Sequence, residues 1–203
     1  MQKDKYKQTE IGQIPEDWEV KKIINLFEVE TGTTPSTKDL LYWKNGTIDW
    51  ITPADMNDLN NKTELPESKR KITPKALKET NLTLMPINSI VISTRAPVGY
   101  VGLAKRELTF NQGCKGLIPK DPKKVDTLFY TYYLVSKKNY LNNISGGSTF
   151  KELSKDSLVN LEVPFLEFVE QQSIAQVLLT FDNKLDIVER ERDEQQSNSG
   201  EAL

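Results

Sequence analysis

Toward the C-terminal end of the chain, large apolar residues recur at intervals of four, three, four and three: Ile174, Leu178, Phe181, Leu185 and Val188. That is a 3.5-residue period, the spacing of a helix made to lie along another helix. Beyond Val188 the chain runs through Glu189-Arg190-Glu191-Arg192-Asp193-Glu194 into a short Ser/Asn/Gly stretch, so no second long helix succeeds it. The seam is therefore expected to dock on the preceding domain or on another chain. Five such side chains offer a gross stabilisation on the order of 10 kcal/mol, of which association entropy consumes much.

The rest of the chain reads as one irregular domain. The 203 residues suffice for a real core. Ile11-Gly12-Gln13-Ile14-Pro15-Glu16-Asp17-Trp18 is an arm punctuated by Gly and Pro and anchored by an aromatic ring. Strands are expected at Thr47–Thr52, Ser89–Thr94, Tyr100–Ala104, Gly116–Ile118 and Val159–Val163, the last stopped by Pro164. Helices are expected from Pro74, capped by Thr73, and over Val125–Lys137. From about Leu166 a helix of ~30 residues runs ~45 Å. The fold class is α+β. A main domain over 1–165 with an arm at 1–18 precedes a long docking or dimerisation helix at 166–196 and a flexible tail at 197–203.

Composition removes several kinds of chemistry. There is no histidine, which takes away the commonest general base and most catalytic zinc sites. The single cysteine excludes an intramolecular disulfide and fits a reducing cytoplasm. No apolar run is long enough to span a membrane, and the polar start reads as lacking a secretory leader. The net charge of −2 hides a partition. Residues 31–155 hold nineteen Lys/Arg against eleven Asp/Glu, whereas residues 156–203 hold three against eleven. A basic body beside an acidic helix suits a polyanion binder with a protein-binding arm, as well as ordinary surface scatter.

Within the basic body, Lys69-Arg70-Lys71 is a cluster that lines a duplex backbone or decorates a solvated loop. Arg95, aimed from a strand end beside Ala96-Pro97, fits a bidentate guanine contact or a structural salt bridge. The loops with Thr33, Thr34, Ser36 and Lys38, and with Ser148, Thr149 and Lys151, supply hydroxyls, backbone N–H groups and charge for DNA contacts, or are plain turns. Tyr42, Trp43 and Trp50 are aromatic enough for a core or a stacking surface. Asp55, Glu67 and Lys69 mimic the Asp…Glu-x-Lys pattern of metal-dependent nucleases, although Glu67 follows Pro66 in a turn-rich stretch that does not aim it.

Taken together the motifs resemble the specificity (S) subunit of type I restriction-modification systems. The residues that carry the resemblance are Thr9-Glu10-Ile11-Gly12, Ile14-Pro15 and Trp18, then Gly32, Pro35 and Tyr42-Trp43, then Ser93 with Ala96-Pro97-Val98-Gly99. They continue through Asn111-Gln112 and Gly147-Ser148-Thr149 to Val163-Pro164, and end in Glu170-Gln171, Ile174-Ala175, Leu178 and Asp182. The resemblance implies a target-recognition domain that reads a few base pairs of double-stranded DNA, and a helix that spaces it from a second such domain. It implies no chemistry in the chain itself. S-adenosylmethionine, Mg²⁺ and ATP are expected only on partner methyltransferase and restriction subunits. Family members typically hold two recognition domains and two helices, so one of each implies a half-subunit that forms a homodimer through its helix. The readings from other classes are a small endonuclease using Asp55, Glu67 and Lys69, and a protein–protein adaptor.

Overall fold

A computed structural model describes residues 5–59, 62–147 and 151–200, and the side chains of these through Arg192. Its centre is an antiparallel sheet in the order β4-β10-β7-β8, built from β4 (Phe27–Thr31), β7 (Ile90–Ser93), β8 (Val101–Leu103) and β10 (Cys114–Pro119). All four residues of β7 are buried, because both faces of the sheet are covered. Alternation assigns them: Ile90 and Ile92 join the larger core, and Val91 joins the other. The larger core lies under α1 (Ile23–Leu26), α4 (Thr127–Ser136), α6 (Lys155–Val159) and the first turns of α7 (Phe168–Gly200). Tyr130 is its largest fully buried side chain, edge-on to Phe27 at 5.3 Å, with its hydroxyl donating to the Pro164 carbonyl at 2.8 Å.

On the opposite face sits a smaller unit. There β5 (Ile48–Ile51) pairs antiparallel with β6 (Lys71–Ile72) and parallel with β9 (Leu108–Phe110). Ile51, Met56, Leu65, Met85, Leu108 and Phe110 fill the space between this unit and the central sheet. Two further short helices, α2 (Pro53–Met56) and α3 (Pro74–Glu79), start from Thr52 and Thr73, whose hydroxyls accept the N–H groups of Asp55 and Ala76.

The expected arm is a hairpin of β1 (Tyr6–Thr9) and β2 (Gly12–Pro15), turned at Gly12 with φ 109°. The expected strand at Val159–Val163 is corrected. Ser154 caps α6 through the Ser157 N–H, so Val159 is helical, and the strand β11 (Glu162–Phe165) runs through Pro164. Pro164 is tolerated because, among the described residues, β11 pairs only with β3 (Glu19–Lys22), which leaves its other edge without a ladder. Helix α4 matches the expected aromatic helix, trimmed at both ends by Asp126 and Lys137, and α5 (Lys138–Asn143) and β9 are additional.

Helix α7 begins two residues after Leu166 and continues through Gly200, four residues into the stretch expected as a tail. Its anchor is Gln171, fully buried, whose amide donates to the Lys124 and Leu166 carbonyls and accepts the Asp126 N–H. Trp18 Nε1 donates to Glu170 at 3.2 Å, which ties the segment after the hairpin to the same turn. Farther along, Asp182 accepts the Tyr132 hydroxyl at 2.7 Å and Asp186 pairs with Lys62 at 3.6 Å. Among the described residues no helix is long and apolar enough to cross a membrane.

Candidate nucleic-acid interface

The strand directions bring several loops to one end of the molecule. Thr31 closes β4 opposite Lys115, and Ser93 closes β7 opposite Cys114, where β10 begins. Phe110 closes β9 beside Ile51, where β5 ends. The chain therefore leaves β4, β5, β7 and β9 and enters β10 at a single edge. Gly32 is required there, since a Cβ on it would collide with the Asn111 carbonyl oxygen. The loops are stitched by backbone bonds: Thr33 N–H to Phe110 O at 3.1 Å, Asn111 N–H to Ile51 O at 2.9 Å, and Arg95 N–H to Gly113 O at 3.2 Å. Thr34 adds a hydroxyl bond to the Gln112 amide oxygen at 2.5 Å.

Beside this edge the aromatic residues form a platform. Trp43 and Trp50 meet edge to face at 4.9 Å. Their indole N–H groups donate to Ser36 O and Thr33 O, each at 3.0 Å, which locks both rings to the Thr33–Ser36 loop. Arg70 stacks on Trp43 at 3.7 Å and reaches Trp50 at 5.5 Å. Its carbonyl accepts from Trp50 N–H, so the backbone is held as well. Its guanidinium makes no hydrogen bond or ion pair among the described residues. The arrangement is a rigidly held cation with its donors open to a ligand.

The neighbours of Arg70 in the basic cluster are spent. Lys69 pairs with Asp58 at 2.9 Å, and Lys71 pairs with Glu67 at 3.0 Å and Asp49 at 3.2 Å. Asp49 is 3% exposed and also accepts from Arg106 and from Ser68 Oγ. Burial by itself pushes the Asp49 carboxyl up, but hydrogen bonds from Arg106 and Lys71, with the charge of Arg106, hold it below its ordinary value. The nuclease pattern is undone in the same stretch. Asp55 is buried and caps α2, accepting Thr52 N–H at 2.8 Å, Thr52 Oγ1 at 2.6 Å and Lys69 N–H at 3.0 Å. Both of its oxygens are occupied by donors, while Glu67 and Lys69 face other partners. Among the described residues no group of three or more His, Cys, Asp or Glu converges to hold a metal.

Arg95 lies at the edge of an open groove of about 760 Å³ lined also by Pro97, Tyr100, Lys138, Asn142 and Lys151. Lys138 stands over the Tyr100 ring at 3.7 Å. Arg95 Nε pairs with Glu152 at 3.2 Å, the salt-bridge alternative of the sequence reading. Lys38 and Lys151 are exposed; Ser148 and Thr149 lie outside the described residues. Thr33, Thr34, Ser36 and Arg70 are thus brought together on one side of the edge, with Arg95 and Lys151 on the other and the Gln112-Gly113 loop between them. Sequence reasoning gave no site role to Lys138 and Asn142, because α5 is too polar to register as a helix. It quoted Gln112 only as part of a motif.

The helix seam divides. Ile174 packs partly against the larger core, whereas Leu178, Phe181, Leu185 and Val188 are 37%, 61%, 59% and 60% exposed. At about 100° per residue, these four point roughly a quarter-turn from the docked stripe of Gln171, Ala175, Asp182 and Asp186. The body and the seam therefore use different faces of α7.

Comparison with known proteins agrees in sequence and in fold. The family described as the type I restriction modification DNA specificity domain matches residues 15–195. The MjaIX type I restriction enzyme specificity subunit of Methanocaldococcus jannaschii is 45% identical over 181 residues, which are 89% of this chain and 41% of that protein. The EcoR124I/EcoR124II specificity subunit of Escherichia coli is 32% identical over 159 residues, 74% of this chain and 37% of that one. An HsdS subunit from Thermoanaerobacter tengcongensis superposes with a TM-score of 0.68 at 19% identity, over 87% of this chain and 40% of that one. A chain from a type I restriction-modification assembly gives 0.73, also at 19% identity, over 91% and 43%. The chain spans about two-fifths of the length of these two curated relatives. A match of this reach, ending in the same helix, settles the kinship: the chain belongs to the family of type I restriction-modification DNA specificity domains.

Proposed function

We propose that this chain is a non-catalytic DNA-recognition module that directs a type I methyltransferase and restriction complex to a bipartite duplex site. The observation that carries the reading is the loop edge, where a stacked arginine with open donors, Arg70, stands beside hydroxyl and amide groups of Thr34 and Gln112. Such groups suit base edges in a major groove. Lys38, Arg95 and Lys151 supply the charge that positions a backbone, and the hydroxyls of Ser148 and Thr149 are assigned to hydrogen bonds with it. Lys69 and Lys71 act mainly within the protein, holding the segment that presents Arg70. The module carries no cofactor; S-adenosylmethionine, Mg²⁺ and ATP belong to the methyltransferase and restriction subunits, in the cytoplasm.

The exposed stripe of Leu178, Phe181, Leu185 and Val188 serves assembly. It pairs antiparallel with the same stripe of a second copy, in a two-helix coiled coil that sets two recognition domains apart. Two identical domains related by a two-fold axis then read an inverted repeat with a fixed gap.

The test uses the 203-residue chain with labelled duplex DNA, with and without Mg²⁺, and sedimentation of wild type against Leu178→Asp/Leu185→Asp. Retention at low salt, intact DNA with Mg²⁺, and a dimer lost in the double variant are expected. Cleavage of the DNA refutes the non-catalytic reading, and a wild-type monomer at tens of micromolar, roughly where a modest interface shows, refutes the dimer.

A further inference from the structure

Lys115 is a largely buried cation that makes no ion pair among the described residues. It sits at the end of the central sheet, between Thr31 of β4 and Ile92 of β7. Strand alternation puts it on the face of Leu117, toward the larger core. The residue is 5% exposed, yet no hydrogen bond or ion pair among the described residues reaches its ammonium. No fully buried polar side-chain atom among those residues lacks a partner, so the ammonium tip itself touches solvent. Burial is the largest influence on it and disfavours the charged form; Glu152 opposes this, while Arg95 and Lys155 add to it.

The surroundings are unbalanced. Arg95 and Lys155 both lie within electrostatic reach of Lys115, where the carboxylate of Glu152, paired with Arg95, opposes them; Lys155 opens α6 two residues beyond Leu153, which the backbone ties to Thr94 beside Arg95. Glu152 is held there by the backbone. It exchanges N–H···O bonds with Gly146 at 2.9 and 3.1 Å, and the next residue, Leu153, donates to Thr94 O at 2.9 Å. Its Oε2 sits 3.2 Å from Arg95 Nε, at the rim of the groove that Arg95 and Lys151 line. A base edge brings acceptor atoms but no net charge to an ammonium without an ion-pair partner, whereas a phosphodiester brings a full negative charge and two acceptor oxygens.

We infer that Arg95, Lys115 and Lys155 form a subsite for one phosphodiester of the DNA backbone, and that Glu152 is its built-in competing anion, displaced when the duplex docks. The inference rests on the DNA-recognition reading above and deepens it. It assigns Arg95 to positioning the backbone and leaves base reading to the Arg70 side of the edge. Glu152 then weakens binding to every duplex alike, because the phosphate must first take its place on Arg95.

The experiment titrates a labelled duplex of arbitrary sequence, and a pool of randomised duplexes, against wild type, Lys115→Met and Glu152→Gln at several salt concentrations. Lys115→Met is expected to weaken binding to all sequences alike, roughly tenfold at low salt, and to lower the steepness of the salt dependence by about one phosphate contact. It is expected to melt at or above wild type, since a cation whose charged form partial burial disfavours is replaced by an apolar side chain of similar length. Glu152→Gln is expected to tighten binding several-fold without altering sequence preference. A well-folded Lys115→Met that binds as wild type does, or that loses preference at one base position, overturns the subsite and leaves the recognition reading standing. Stabilisation of wild type by inorganic phosphate at matched ionic strength, abolished in Lys115→Met while duplex binding is unchanged, assigns the site to a free anion and also overturns it. Failure of the wild type to retain any duplex at low salt overturns the recognition reading itself.

Discussion

Replacing Arg106 by Met tests how the Arg70 segment is held. The Arg106 guanidinium bonds the buried Asp49 carboxylate and also donates to Leu65 O at 3.2 Å and Pro66 O at 2.6 Å. Those carbonyls begin the stretch that ends in Arg70. Removing one partner of a buried pair costs about 3–5 kcal/mol, because the remaining charge stays buried. Arg106 is one-third exposed and Lys71 still faces Asp49, so the lower end, about 3 kcal/mol, applies. For a chain of this size that shifts the melting temperature by roughly 6–12 °C. The pH dependence carries a sign. In wild type the Asp49 carboxyl is held below its unfolded value, so its contribution is present above pH of about 4 and is lost as pH falls through the folded value. In Arg106→Met burial dominates and the carboxyl moves up, so the gap between variant and wild type narrows as pH approaches about 4. Thermal melts monitored by circular dichroism at several pH values measure both effects. A variant melting within about 2 °C of wild type at neutral pH, the range of an ordinary surface substitution, refutes the reasoning.

Three further outcomes are expected. Trp43→Ala removes the ring under Arg70 and weakens discrimination at one base position by about 1–3 kcal/mol, seen as a flattened preference in competition binding. Gly32→Ala forces a methyl against the Asn111 carbonyl and destabilises by about 1–3 kcal/mol or more in denaturant unfolding. Cys114 is fully buried, and burial pushes its thiol well up, so alkylation of the native protein is expected only as fast as it unfolds; rapid modification in native buffer contradicts this.

Much of the frame was legible where a residue pattern carries its own geometry. The apolar run Ile90-Val91-Ile92, the Ala96–Gly99 turn and the Thr73-Pro74 helix start all act locally, and each stands where it was expected, as does the helix that carries the 3.5-residue seam. Val159 misled because a β-branched residue in a short apolar run fits a strand or a helix alike, and the Ser154 cap decided it. Strand β9 is three residues long and exists because β5 offers it a parallel partner. The site was less legible for the same reason. Which lysine of Lys69-Arg70-Lys71 is neutralised depends on Asp58, Asp49 and Glu67, and the stacking of Arg70 depends on two tryptophans that only the fold brings together. Lys115 reads in sequence as one polar residue just ahead of a short strand; its burial inside β10 is visible only in three dimensions.

The central claim is that this chain itself reads DNA bases at the loop edge. Selection of bound duplexes from a randomised pool, sequenced for wild type and Arg70→Ala, addresses it most directly. Enrichment of one short sequence by wild type, flattened at a defined position by Arg70→Ala while total binding persists, is the predicted result. Retention of DNA with no enriched sequence, or enrichment identical in the two proteins, contradicts the account.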